Sequence, residues 1–172
     1  LGPEGSFTHQ AALQVQQLIN TELISTDDAE SLRLRPATDV PDILEAVEHD
    51  GSWGVIAWEN NVEGYVVPNL DALIDAPGVV GFARIGIDIA FDAFVRDEPT
   101  DTTPLRQVVA HPHGLAQCRR FIGERHLVQV PSTSNAAACR DIAPGQIALG
   151  PSMCGPFYGL HTPAKGVQDY TG

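Results

Sequence analysis

The sequence predicts an α/β fold with mostly parallel sheets. Two observations carry this. Strand-like apolar runs alternate with helix-like ones along most of the 172 residues, which is the pattern of parallel strands joined by crossover helices. Nearly every predicted strand end is also followed by small polar residues: Glu59-Asn60-Asn61, His111-Pro112, Ser132-Thr133-Ser134 and Gly150-Pro151-Ser152. Ligands of open α/β sheets bind outside the carboxyl ends of the strands, so these four loops are expected to converge on one cleft.

The elements follow in order. Gly2, Pro3 and Gly5 make a tight entry to an amphipathic helix over 7–19, with Phe7, Ala11, Val15 and Leu18 at helical spacing. Residues 20–37 are polar and irregular, closing on a short strand. Asp39-Val40-Pro41 is a helix start, since Pro is tolerated in the first turn, and Ile43, Leu44 and Val47 supply its apolar face. A buried strand is expected over 53–58, a short helix from Pro68-Asn69 through Ile74, and a long strand over 79–95, where Ile85, Ile87 and Ile89 alternate. After a loop at 96–103 come strand 107–110, helix 113–122, strand 127–130, helix 134–142, strand 146–149, helix 152–158 and a last strand at 166–169.

Composition narrows the function. An apolar fraction of 43% with 19% charged residues is that of an ordinary globular protein. A net charge of −12 argues against nucleic acid, whose phosphates need clustered Lys and Arg, and against an anionic membrane surface. It leaves room for a small anion, because a site is local and net charge is global. No apolar run reaches membrane-spanning length. Cys118, Cys139 and Cys154 are scattered and odd in number, which fits reduced thiols in the cytoplasm. No Cys/His spacing suggests zinc, and the six histidines read as surface or core residues, so no metal is expected. A first residue of Leu1 and the lack of a charged-then-apolar leader are read as a trimmed, cytoplasmic chain.

Five stretches, in order, resemble the signatures of the prephenate dehydratase family: LGPEGSFTHQAA, GVIAWENNVEGYVVPNLDALID, VVAHPHGLAQCRRF, PSTSNAAACRDI, and IALGPSMCGPFYGL followed by GVQD. Asn61, Tyr65 and Asn69 depart from the usual residues at their positions. The chain ends at Gly172, before the Thr-Arg-Phe motif and the phenylalanine-sensing ACT domain that family members carry. A chain ending there is expected to bind prephenate weakly and turn it over hardly at all.

The resemblance implies a two-lobed fold similar to type 2 periplasmic binding proteins, with the active cleft between lobes. Lobe one would be 1–80 with a return segment 165–172, and lobe two 81–164. It implies conversion of prephenate to phenylpyruvate, with loss of water and CO2, in phenylalanine biosynthesis. Aromatisation drives that reaction, so no cofactor is expected. The work is to hold two carboxylates and to protonate or hydrogen-bond a departing hydroxyl, for which hydroxyls, amides and N–H groups at helix starts are suited.

On that basis Asn60, Ser134 and Glu59 are the catalytic candidates. Ser6, Thr8, Asn61, Gly64, His111, Gln117, Ser132, Thr133 and Asn135 are the substrate-binding ones. Several have a structural alternative. Glu59 either tunes the proton inventory or caps a backbone turn, His111 either touches substrate or closes a strand-to-helix turn, and Ser132 either binds or caps the next helix. The run 58–64 as a whole reads either as a substrate-binding strand end or as a polar turn. Helix N-termini, Arg140 and Lys165 are the sources of positive potential for the substrate. The family also implies a homo-oligomer, dimer or tetramer, and regulation by L-phenylalanine only where an ACT domain is attached. Two other readings remain: a prephenate decarboxylase that loses CO2 without aromatising, and a non-enzymatic module that binds a small acid.

Overall fold

Asp39 starts the best-defined helix of the N-terminal half: its carboxylate accepts the Asp42 N–H at 2.9 Å, and Gly51 ends that helix in the left-handed conformation at φ 66°. The computed structural model describes residues 3–22, 32–61, 64–98 and 104–170. Their contacts divide into two units, one within 8–87 and the other formed by 3–7 with 88–170.

The first unit contains α1 (Phe7–Glu22, whose first residue packs with the second unit), α2 (Val40–Asp50), β1 (Glu59–Asn60), β2 (Gly64–Tyr65) and α3 (Val67–Ile74). Val40, Leu44 and Ala76 form its small core, with Ile56, Leu73 and Val79 against it. Gly54 is needed beside α2, because a Cβ there would lie 2.7 Å from the Ile43 side chain. The expected strand at 53–58 does not form. Its segment ends in the two-residue β1, which turns back on β2 with Glu59 opposite Tyr65 and Asn60 opposite Gly64. The long strand expected over 79–95 is likewise reduced to its last four residues. Strand propensity is realised only against a neighbouring strand, and among the described residues 53–58 and 79–90 pair with none. In α1 the buried position is Ile19, whereas Leu18, placed on the apolar face from spacing, is 45% exposed. The strand expected near 37 is absent from 32–37, and the rest of that stretch and of the 96–103 loop lies partly outside the described residues.

The second unit is a five-stranded sheet in the order β5-β4-β6-β3-β7, with β3 at Asp92–Val95, β4 at Gln107–Ala110, β5 at Val128–Pro131, β6 at Gln146–Gly150 and β7 at His161–Ala164. Between the strands lie α4 (Pro112–Gln117), α5 (Arg119–Glu124), α6 (Asn135–Arg140) and α7 (Cys154–Tyr158). The helix expected over 113–122 is broken in two at Cys118. The sheet is mixed: β4 runs parallel to β5 and β6, whereas β3 is antiparallel to β6 and β7. Parallel pairing thus holds only among β4, β5 and β6, over 107–150, where helices lie between successive strands.

Alternation within the strands builds two cores. Ala93, Val95, Val108, Ala110, Ile147 and Leu149 face Leu115, Phe121, Ile122 and Val167, with Phe7 edge-on to Phe91 at 5.3 Å. Phe94, Val109 and Ala148 face Ala138, Cys139, Ile142 and Cys154. A sheet covered on both faces explains why its strands read as near-continuous apolar runs.

The expected strand at 166–169 is instead a clasp. Val167 N–H donates to Phe91 O and Asp169 N–H to Gln117 O, both at 2.7 Å. Gln168 Oε1 accepts the Phe91 N–H at 3.0 Å, and Asp92 accepts the Gly166 N–H at 2.9 Å. Asp169 itself accepts the N–H groups of Arg119 and Arg120 at 2.9 and 3.0 Å, capping α5. These bonds tie the described part of 165–172 to the second unit, and the division between units falls at Ile87/Asp88.

The clasp generates a prediction. Asp169→Ala removes two N–H acceptors at once and is expected to lower unfolding free energy by about 1–2 kcal/mol. A urea midpoint equal to that of the parent chain would show the clasp to be energetically idle.

Candidate functional site

The carboxyl ends of β5, β4 and β6 are neighbours in a parallel array. Three of the four predicted loops leave from them: Ser132-Thr133-Ser134 after β5, His111-Pro112 after β4 and Pro151-Ser152 after β6. Ser132 N–H extends the ladder by donating to Ala110 O at 2.9 Å. The fourth loop, Glu59-Asn60-Asn61, lies in the β1–β2 turn of the first unit and leaves no parallel strand.

Several side chains in the array have definite partners. Ser134 is the N-cap of α6, its Oγ accepting the Ala137 N–H at 2.9 Å. The capping role considered for Ser132 therefore belongs to Ser134, two residues on, which leaves Ser132 and Thr133 to present hydroxyls from the loop. His111 is the N-cap of α4: Nδ1 accepts the His113 N–H at 3.3 Å, and the two imidazoles meet edge-to-face at 4.7 Å. His111 N–H donates to Asn135 Oδ1 at 2.9 Å. Gln117 is 8% exposed, inside α4.

In the N-terminal turn Gly5 is buried with φ 85°, a conformation that favours glycine. Its carbonyl accepts the Cys154 thiol at 3.3 Å, Glu4 O accepts the Tyr158 hydroxyl, and Ser6 N–H donates to Pro3 O at 3.2 Å. Thr8 lies in α1, in the first unit. Gly64, exposed with φ 84°, supplies the left-handed residue of the hairpin.

Charges are partnered locally. Glu59 pairs with Arg84 at 2.9 Å. Arg140 makes a two-pronged contact to Asp141 at 2.8 and 2.7 Å; that bonding holds the Asp141 carboxyl below its usual range and raises the guanidinium. Both partners are largely exposed. Lys165 remains exposed.

All three cysteines are buried and free. Burial pushes the Cys118 thiol up to about 12, with the Asp169 charge adding to it. A hydrogen bond with Cys154, then burial, pushes Cys139 up. Among the described residues no His/Cys/Asp/Glu group could hold a metal, and no helix is long and apolar enough to cross a membrane. Spacing alone missed Gly114, whose close packing is described below, and the clasp residues Asp92, Gln168 and Asp169. A glycine within the helix-like HPHGLAQ stretch was the available signal for the first.

The geometry defines an α/β protein whose parallel strand ends gather hydroxyl, amide and imidazole groups, the architecture of a small-ligand site. The comparisons specify it. The family model for prephenate dehydratase matches residues 1–172, and the chain belongs to that family. It is 37% identical over 177 residues to the prephenate dehydratase of Mycolicibacterium gilvum, covering 98% of this chain and 56% of that one. The chain therefore spans about half the length of the curated relatives it matches. The crystal structure of the Staphylococcus aureus prephenate dehydratase superposes with a TM-score of 0.76 at 23% identity, over 100% of this chain and 61% of that one. That from Arthrobacter aurescens, in complex with L-Phe, gives 0.76 at 27% identity, over 99% and 55%. The fold is thus the expected type 2 periplasmic-binding-protein-like α/β class.

Two expectations follow. Ser134→Ala is expected to cost about 1 kcal/mol of stability through the lost cap, read from denaturant unfolding, with Ser134→Asp retaining most of it. At about pH 8 the thiols are expected to resist a thiol-reactive disulfide until the chain unfolds, because only the thiolate attacks. Since the Cys118 value is raised from 9.0 to about 12, its contribution to stability is present below 9.0 and lost as pH climbs toward 12. Fast labelling of the native protein would contradict the burial.

Proposed function

We propose that these residues form catalytic machinery of a prephenate dehydratase, converting prephenate to phenylpyruvate, water and CO2 in phenylalanine biosynthesis. The observation that supports this best is the gathering of Ser132, Thr133, Ser134 and His111 at two adjacent parallel strand ends, those of β5 and β4, in a chain of that family. As CO2 leaves, the electron pair of its C–C bond enters the ring, and the ring hydroxyl departs on the far carbon, taking a proton to become water. No net oxidation occurs. What the protein must supply is donors for the carboxylate that stays and for the oxygen that leaves.

Ser132 and Thr133, whose hydroxyls sit in the loop ahead of the Ser134 cap, fit the carboxylate role. In the second unit Ser134 is assigned a catalytic role, with His111, Gln117 and Ser6 in support; in the first unit the family resemblance assigns Asn60 a catalytic role and Thr8, Asn61 and Gly64 binding roles. Glu59 acts through its pair with Arg84, not as a free acid. The reaction belongs in the cytoplasm, in a homo-oligomer, and sensitivity to L-Phe is expected only where a regulatory domain is joined to these residues.

The test is incubation with prephenate of this chain and of a longer protein that includes it, with products identified by mass and ultraviolet absorbance. Phenylpyruvate is expected from the longer protein, and Asn60→Ala is expected to lower turnover about 100-fold with little change in unfolding midpoint. A non-aromatic decarboxylated product would replace dehydration with simple decarboxylation, and intact prephenate in both samples would leave a binding module.

A further inference from the structure

We propose that Asn135 is a positioning residue and that Gly114 is a glycine in order to admit it. The proposal rests on the dehydratase reading for its functional consequence, not for its geometry. Asn135 is the first residue of α6, directly after the Ser132-Thr133-Ser134 loop. His111 is the first residue past β4, on the neighbouring loop. The Asn135 carboxamide oxygen accepts the His111 N–H at 2.9 Å across a sequence separation of 24 residues. This bond ties the hydroxyl loop to the imidazole loop beyond the last rung of the ladder, where Ser132 N–H meets Ala110 O.

The same oxygen needs room. A Cβ on Gly114 would lie 2.7 Å from Asn135 Oδ1 and 3.1 Å from the Phe91 ring. Gly114 is buried within α4, where a glycine costs about 1 kcal/mol relative to alanine in an unconstrained helix. The close approach gives that cost a use: the carboxamide passes beneath α4 to reach the backbone of the turn that starts it. With its oxygen committed to the turn, Asn135 sets the separation between His111 and the Ser132–Ser134 hydroxyls. In catalysis an error of about 1 Å in such a separation lowers turnover about 100-fold, while substrate affinity depends on it less. This reassigns Asn135 from a substrate contact to a residue that acts through its neighbours.

Amide hydrogen exchange in the 172-residue chain reads the lock without any activity. Asn135→Ala and Gly114→Ala are each expected to speed exchange at His111 about tenfold. Asn135→Asp, which keeps the acceptor oxygen, is expected to retain protection. The double variant Gly114→Ala/Asn135→Ala is expected to recover the stability that Gly114→Ala alone loses, since removing the carboxamide removes the clash. Additive losses, or unchanged exchange at His111, would overturn the lock. In a longer protein that turns over prephenate, Asn135→Ala is expected to lower kcat about 10-fold to 100-fold with KM little changed. A rise in KM at constant kcat would make Asn135 a substrate contact and overturn the positioning role. Failure of the parent enzyme to turn over prephenate would sink the dehydratase reading alone, leaving exchange and coupling to decide the lock.

Discussion

Burial of β4 and β6 on both faces is the constraint from which the second unit follows. Val108, Ala110, Ile147 and Leu149 face one helical layer while Val109 and Ala148 face the other. Strands in that position satisfy their backbone only through neighbouring strands on either side, so β4 is held between β5 and β6 in a fixed register. Once the register is fixed, the carboxyl ends of three parallel strands end level with one another, and their loops emerge as neighbours. The gathering of hydroxyl, amide and imidazole groups is thus a consequence of sheet packing. Small residues make it possible: Ala138 and Ala148 bring α6 close to the sheet, and at Gly150 a Cβ would lie 2.7 Å from the Cys139 sulfur.

Two short peptides complete that unit from outside the alternating region. The Pro3–Phe7 turn binds through Gly5 and Glu4 carbonyls to Cys154 and Tyr158. The 166–169 clasp ties β3 to the junction of α4 and α5 through Asp92, Gln168 and Asp169. Both use polar groups of the main chain, and among the described residues no buried side-chain nitrogen or oxygen lacks a partner. Polar groups in such places cost free energy if left unpaired, which is why irregular segments so close to the core have definite partners.

Electrostatically, the molecule separates global from local. Its net charge of −12 suits a highly soluble surface and is poorly suited to attracting a dianion at long range. Several side-chain cations are occupied: Arg84 with Glu59, Arg140 with Asp141, and Arg96 with the carbonyls of Arg140 and Ile142 at the end of α6. Neutral donors are what the strand ends present.

Helix positions were the most legible part of the sequence. The Asp39 cap, the Pro-led starts of α2, α3 and α4, and the Ser134 loop are local signals, decided within three or four residues by capping and fixed φ. The family is equally readable, since five motifs in series need no structure to be recognised. The strand-patterned stretches 53–58 and 79–90 were misread because an apolar alternating run states only a propensity; whether it pairs depends on residues distant in sequence. The same holds for the antiparallel placement of β3, the conversion of 166–169 from strand to clasp, and the commitment of Glu59 and Arg140 to neighbours. By itself the sequence determined the α/β class, the family and the polar residues at the ends of β4, β5 and β6. Only the tertiary structure decided that Asn135 reaches His111 and that Gly114 leaves it room, because both depend on distances of a few ångströms between segments that sequence order keeps apart.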